Sequence, residues 1–281
     1  MPTIRLAAIL GLSLTAPLFA AEKTASAEGL TFTYDDAVYP EVKTEVKKKL
    51  TSKENGTDIP SDVAPKHPIF WLWDKKDLEA KAAAKDDSAF AHSQIAIFPL
   101  SDTSEPKFAK AYPDVSSGAT KLSAFLKKSP KDIPWISQKV SPEKRKTIIV
   151  PDIAFFEAAP AFQAKLQYLD NDQFHGVFYL TEYTQDDTFY PTNDGGVMYS
   201  FAGLSKDGRF SILAQFVVTH PSLPANFDAA PDAAKSGKIP EAELKKVVGA
   251  LAAQADDSFG PKLGDLRSIV ESLKLPAKAA K

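Results

Sequence analysis

Apolar residues recur along the chain in two rhythms, one of period two and one near 3.6. The first marks strands. "LTFTY" at 30–34, "HPIFWLW" at 67–73 and "SQIAIFPL" at 93–100 are separate strand candidates, with Pro99 limiting the last. Two pairs follow. "AKLQYL" and "GVFYLTEY" flank the turn "DNDQFH", a hairpin from Ala164 to Tyr183. The second pair brackets Asp207-Gly208, a strong short-range hairpin signal. With Gly208 as the left-handed last residue of a three-residue loop, Ser205 falls opposite Arg209. Met198, Ala202 and Leu204 then face Phe216, Ile212 and Phe210. A one-residue slip also gives an apolar face, and apolar residues on both sides predict a sheet covered on both.

The helical rhythm appears at Leu122, Phe125 and Leu126, predicting a helix over 119–128. A Lys/Ala/Asp/Glu block at 75–87 predicts an exposed helix. Near the end of the chain, Pro240 fits a first helical position, and Leu244, Val247, Val248, Leu251 and Ala255 form one stripe. Leu263, Leu266, Ile269, Val270 and Leu273 form another. The fold class is therefore α+β: an antiparallel sheet of about six strands, its C-terminal half a meander of hairpins, flanked by helices with two amphipathic ones at the C-terminus. Residues 30–275 are expected to form a single domain, with 21–29 flexible, 276–281 a disordered tail and 35–66 a charged, proline-containing connection.

Residues 1–20 read as an export signal. Arg5 precedes the apolar run Leu6–Ala16, Pro17 breaks it, and Leu18-Phe19-Ala20 offers a cleavage site. Ala25-Ser26-Ala27 fits the small-x-small pattern but lies far from the run. A spanning helix needs about 20 apolar residues, more than this run supplies. The protein is thus expected to be exported, periplasmic or secreted, with no transmembrane segment in the mature chain.

With no cysteine, the chain has no disulfide framework, thiolate nucleophile or lipid-modified N-terminal Cys. A net charge of -2, with acidic residues beside each lysine cluster, argues against nucleic-acid binding.

Catalytic signatures are weak. Gly203-Leu204-Ser205-Lys206-Asp207 lacks the final glycine of a nucleophile elbow and sits in a hairpin turn, where Ser205 is expected to be only a turn hydroxyl. Asp186-Asp187 reads as a solvated loop pair. "DNDQFHGVFYLTE" departs from a calcium loop at Phe174, His175 and Glu182, and oxygens from Asp186, Asp187, Asn193 and Asp194 are a weaker calcium alternative. His67, His92, His175 and His220 lack metal-ligand spacing. The aromatic run at 67–73 reads as core before it reads as a stacking strip. Asn55-Gly56-Thr57 is a glycosylation acceptor only in a glycosylating host.

Thr181, Tyr183, Asn193, Tyr199, Phe201, Gly203-Leu204, Asp207-Gly208 and Leu223-Pro224 form a pattern. It resembles a widespread family of uncharacterised exported bacterial proteins, in which a Thr-x-Tyr strand leads through an asparagine loop to a Tyr-x-Phe strand, a glycine–leucine turn, a DG hairpin and Pro-x-Leu-Pro. "GLTFTYD" and "FGPKLGDLRSIVESLKL" resemble the same family. The architecture is more loosely similar to the Mog1/PsbP-type α/β/α arrangement. The resemblance implies export and no known activity. Candidate binding residues are Tyr183, Gln185, Asn193 and Tyr199, around the 184–196 loop; no catalytic residue, metal ligand or cofactor is assigned. The expected function is non-catalytic binding of a small ligand or an envelope protein, or an accessory role. A hydrolase with scattered catalytic residues is the alternative.

Overall fold

The computed structural model describes residues 21–49, 62–63, 65–84, 93–111, 113–133, 149–151, 155–156, 159–184, 189–194 and 196–277. The sequence of elements begins with the hairpin β1 (Glu22–Ala27) and β2 (Leu30–Asp35), then β3 (Glu41–Lys47), β4 (Asp62–Val63) and β5 (His67–Trp73). Helix α1 (Lys75–Ala84) leads to β6 (Ser93–Pro99), and α2 (Leu100–Thr103), α3 (Pro106–Ala111) and α4 (Pro113–Lys128) follow. Strands β7 (Phe155–Phe156), β8 (Ala159–Asp170), β9 (Phe174–Thr184), β10 (Met198–Ser205) and β11 (Phe210–Val217) precede α5 (Asp232–Lys235), α6 (Glu241–Ala252) and α7 (Leu263–Glu271).

Seven strands form one antiparallel sheet in the order β3-β5-β6-β11-β10-β9-β8. Because successive side chains point to opposite faces, its residues separate into two cores. The first face carries Phe70, Ile95, Ile97, Ala214, Phe216, Tyr199, Phe201, Phe178 and Leu180. The β1–β2 hairpin and helices α6 and α7 cover it through Leu30, Phe32, Leu244, Val248, Leu266 and Ile269. The second face carries Ile69, Ala96, Leu213, Ala202 and Val177 beneath Leu122, Phe125 and Leu126 of α4. The α+β class, the antiparallel sheet and the two C-terminal amphipathic helices all agree with the sequence.

The β10–β11 register differs by one residue from the expected one: Met198 faces Val217, Ala202 faces Leu213, and Leu204 faces Ser211. Gly208 does take a left-handed conformation, φ +72°. Ser205 explains the shift. Its hydroxyl accepts the backbone N–H groups of Arg209 (3.0 Å) and Phe210 (2.9 Å), so these two donors close the turn on a side chain. One more residue then belongs to the loop. Ser205 is buried, and it is more than a turn hydroxyl. Gly203, which the resemblance places in a glycine–leucine turn, lies within β10 opposite Gly176, as a strand register through Leu204 requires. The Phe201 ring covers both glycines: a Cβ on Gly176 would lie 2.3 Å from its Cζ, and one on Gly203 2.5 Å from its Cε1.

Two segments expected to be irregular form strands. Residues 22–27, within the span expected to be flexible, pair along β2, with Ala25 buried. Residues 41–47 form a charged, mostly exposed edge strand, whose Glu/Lys content hides its strand character and discourages further pairing. Helix α4 also begins six residues before the expected start.

Candidate functional site

Among the described residues, Tyr199 and Asn193 serve separate junctions. Tyr199 is fully buried, stacked 5.0 Å from Phe178, and its hydroxyl donates to Gln167 Oε1 at 2.7 Å. Arg267 donates to the same Gln167 oxygen and to the Tyr168 carbonyl, fastening α7 to β8. Burial raises the Tyr199 pKa above the ordinary phenol value. Asn193 serves a different junction. Its Nδ2 donates to the His220 and Leu223 carbonyls, each at 3.1 Å, and its Oδ1 accepts the His220 N–H at 2.8 Å. The short side chain thus staples the 189–194 segment to the turn after β11. Tyr183 faces Pro160 near the end of β9. Gln185, Asp186, Asp187 and His92 lie outside the described residues.

Beside this staple is a residue that the sequence reading passed over. Glu182 continues the parity of Phe178 and Leu180, on the apolar first face, and stands opposite Phe162. Its Oε2 is buried without a hydrogen-bond partner, and a Cβ on Gly196 would lie 3.3 Å from its Cδ. Burial first, and the Asp194 charge second, raise its pKa to about 8. The carboxyl therefore holds a proton at neutral pH and can donate a hydrogen bond. The signal was a glutamate at an apolar-parity position in "FYLTEY".

His220 is buried against Phe259, with Ser222 Oγ 2.7 Å from Nδ1 and Ser258 Oγ 3.1 Å from Nε2. The Ser222 backbone N–H also points at Nδ1, at 3.1 Å. A backbone amide only donates, so Nδ1 accepts and the neutral ring carries its proton on Nε2. Nε2 then donates to Ser258, whose hydroxyl donates to the Ala255 carbonyl at 2.6 Å. This tautomer directs its proton at the serine and cannot take the serine's proton. Burial also lowers the His220 pKa, favouring the neutral ring.

An open groove of about 520 Å³ runs between β8 and α6 and is also lined by residues 131–133. Its size falls in the range of small-ligand sites. Leu166, Val248 and Ala252 give it apolar walls; Lys131 and Lys245 add positive charge and Asp132 negative, with Lys245 paired to Glu241 at 2.9 Å. Lys165 is also present but already committed. From a left-handed backbone, φ +55°, its ammonium donates to the Ala252 and Gln254 carbonyls at the end of α6 and pairs with Asp256 at 2.9 Å. Gly249 lines the groove from α6, and a Cβ added there meets nothing within 4 Å.

Among the described residues, no three His, Asp or Glu side chains group as a metal site, and no helix is long and apolar enough to cross a membrane. Comparison with protein-family models, curated proteins and solved structures yields no match.

Proposed function

We propose that this is an exported envelope protein, released by cleavage after Ala20, that works by binding a small ligand in the β8–α6 groove without transforming it. The resemblance to exported bacterial proteins and the Arg5–Ala20 pattern support export. The groove carries the binding reading: it combines apolar walls with Lys131, Asp132 and Lys245, the last paired with Glu241, while the nearby Lys165 is held by the helix end. The hydrolase alternative draws on Glu182, a protonated acid beside Asp194. Its natural base, His220, is held in a tautomer unsuited to activating Ser258.

The test uses 1-anilinonaphthalene-8-sulfonate, an aromatic anion that matches an apolar groove with lysines. Wild type is expected to bind it saturably at one site. Gly249→Leu, which adds side chain to open space in a helix, is expected to stay folded and lose that site. Equal binding by the variant, or none by wild type, contradicts the groove assignment. N-terminal sequencing of exported material is expected to begin at Ala21; a retained Met1 contradicts processing.

A further inference from the structure

The second face of the sheet is apolar in one transverse row and polar in the next. Ile69, Ala96, Leu213, Ala202 and Val177 lie side by side across five strands. Two residues along, the adjacent row on the same face reads Lys43, Trp71, Gln94, Gln215, Ser200 and Tyr179. Polar side chains buried in a sheet face normally satisfy one another. Here they do so only in part. Gln94 Nε2 donates to Gln215 Oε1 at 2.5 Å, and among the described residues neither amide has a second side-chain hydrogen bond. Either orientation of the pair leaves one whole NH2 group and one whole carbonyl without a side-chain partner, and neither is sealed from solvent. Beside them, Ser200 is fully buried and its hydroxyl has no partner. Burial also grades along the row: Trp71 and Gln94 are half-buried, whereas Gln215 and Ser200 are buried.

We infer that this row is a recognition site for a secondary amide, carried by an N-acetylated sugar or by a peptide. A secondary amide offers one N–H for the open carbonyl and one carbonyl for the open NH2 of the glutamine pair. Trp71 flanks the pair at the more exposed end, with Lys47 over its ring at 5.7 Å and its Nε1 donating to Glu45, while Ser200 lies sealed beneath. The site is separate from the β8–α6 groove, and it stands or falls independently of the function proposed for that groove.

The experiment titrates isotope-labelled protein with N-acetylglucosamine, with N-acetylalanine methylamide and, as a control without an amide, with glucose. At least one amide probe is expected to shift the Gln94 and Gln215 side-chain signals saturably, and glucose is expected to leave them in place. The amide probe that binds identifies the source. Gln94→Leu and Gln215→Leu are each expected to weaken binding tenfold or more while remaining folded, and Gly249→Leu is expected to leave it unchanged. The inference is overturned if neither amide probe moves these signals, which would leave water as the row's only partner. It is also overturned if glucose acts equally, or if the folded Gln94→Leu and Gln215→Leu variants bind like wild type.

Discussion

The two faces of the seven-stranded sheet are built to different rules. On the first face, the row Phe70, Ile95, Ala214, Phe201 and Phe178 is apolar from strand to strand, and the Phe201 ring needs two glycines beneath it. On the second, the row through Gln94, Gln215 and Ser200 interrupts the apolar pattern: the two glutamines bond to each other, and the buried Ser200 hydroxyl has no partner. Both sets lie on the same strands, so strand propensity does not separate them. What separates them is completeness: the first row satisfies its own packing, and the second retains polar groups that the fold does not use. Glu182 makes the same kind of exception at the margin of the first face, near the Asn193 staple.

The largest expected effect tests the first face. Gly176→Val places a Cβ 2.3 Å from the Phe201 ring and 2.6 Å from the Ala202 carbonyl oxygen. Denaturant unfolding is expected to show a loss of roughly 3 kcal/mol or more, or no folded protein. A loss under about 1 kcal/mol breaks the claim that this face is tightly packed.

The next effect lies at Glu182. Its folded pKa of about 8 stands above that of an unfolded glutamate, so the folded state binds the extra proton between those values. The resulting stabilisation is complete below the unfolded pKa and is lost as pH rises through about 8. A loss on the order of a few kcal/mol between pH 5 and 9 is expected. Glu182→Gln keeps the shape and a donor without titrating, and its stability is expected to be flatter over that range. Matching pH curves for the two proteins contradict a buried, protonated Glu182.

The smallest effects belong to the β10–β11 turn. Ser205→Ala leaves the Phe210 N–H without its acceptor and the Arg209 N–H with Asp207 Oδ1 alone, and is expected to cost about 1–2 kcal/mol. Gly208→Val has open space for its Cβ but must hold φ near +72°, so about 1–2 kcal/mol is expected from conformation alone. If Ser205→Ala leaves stability unchanged, the hydroxyl does not set the register.

Strands and helices with undiluted patterns were legible in the sequence. "HPIFWLW" is β5 at the predicted residues, and both C-terminal stripes form helices. The charged edge strand β3 was not legible, because an edge strand with exposed side chains lacks the apolar alternation that marks a buried one. The one-residue register shift depends on where a single serine hydroxyl hydrogen-bonds, which periodicity does not encode. The candidate sites were less legible still. Asn193 and Tyr199 were selected by pattern, and the structure gives them junctions to hold. Gln94, Ser200 and Gln215 come from separate strands and meet only once the β6–β11–β10 pairing exists; the visible trace of each is one polar residue inside an apolar run.

The most direct measurement compares two disruptions by denaturant unfolding: Phe201→Ala on the first face and the double variant Gln94→Leu/Gln215→Leu on the second. Phe201→Ala is expected to lose about 3–5 kcal/mol as a fully buried aromatic. Replacing both glutamines with apolar groups of similar size removes a hydrogen bond together with both partners, and stability is expected to stay within about 1 kcal/mol of wild type or to rise. A loss from the double variant comparable to that of Phe201→Ala would show that the polar row holds the sheet together, and would contradict the division between the two faces.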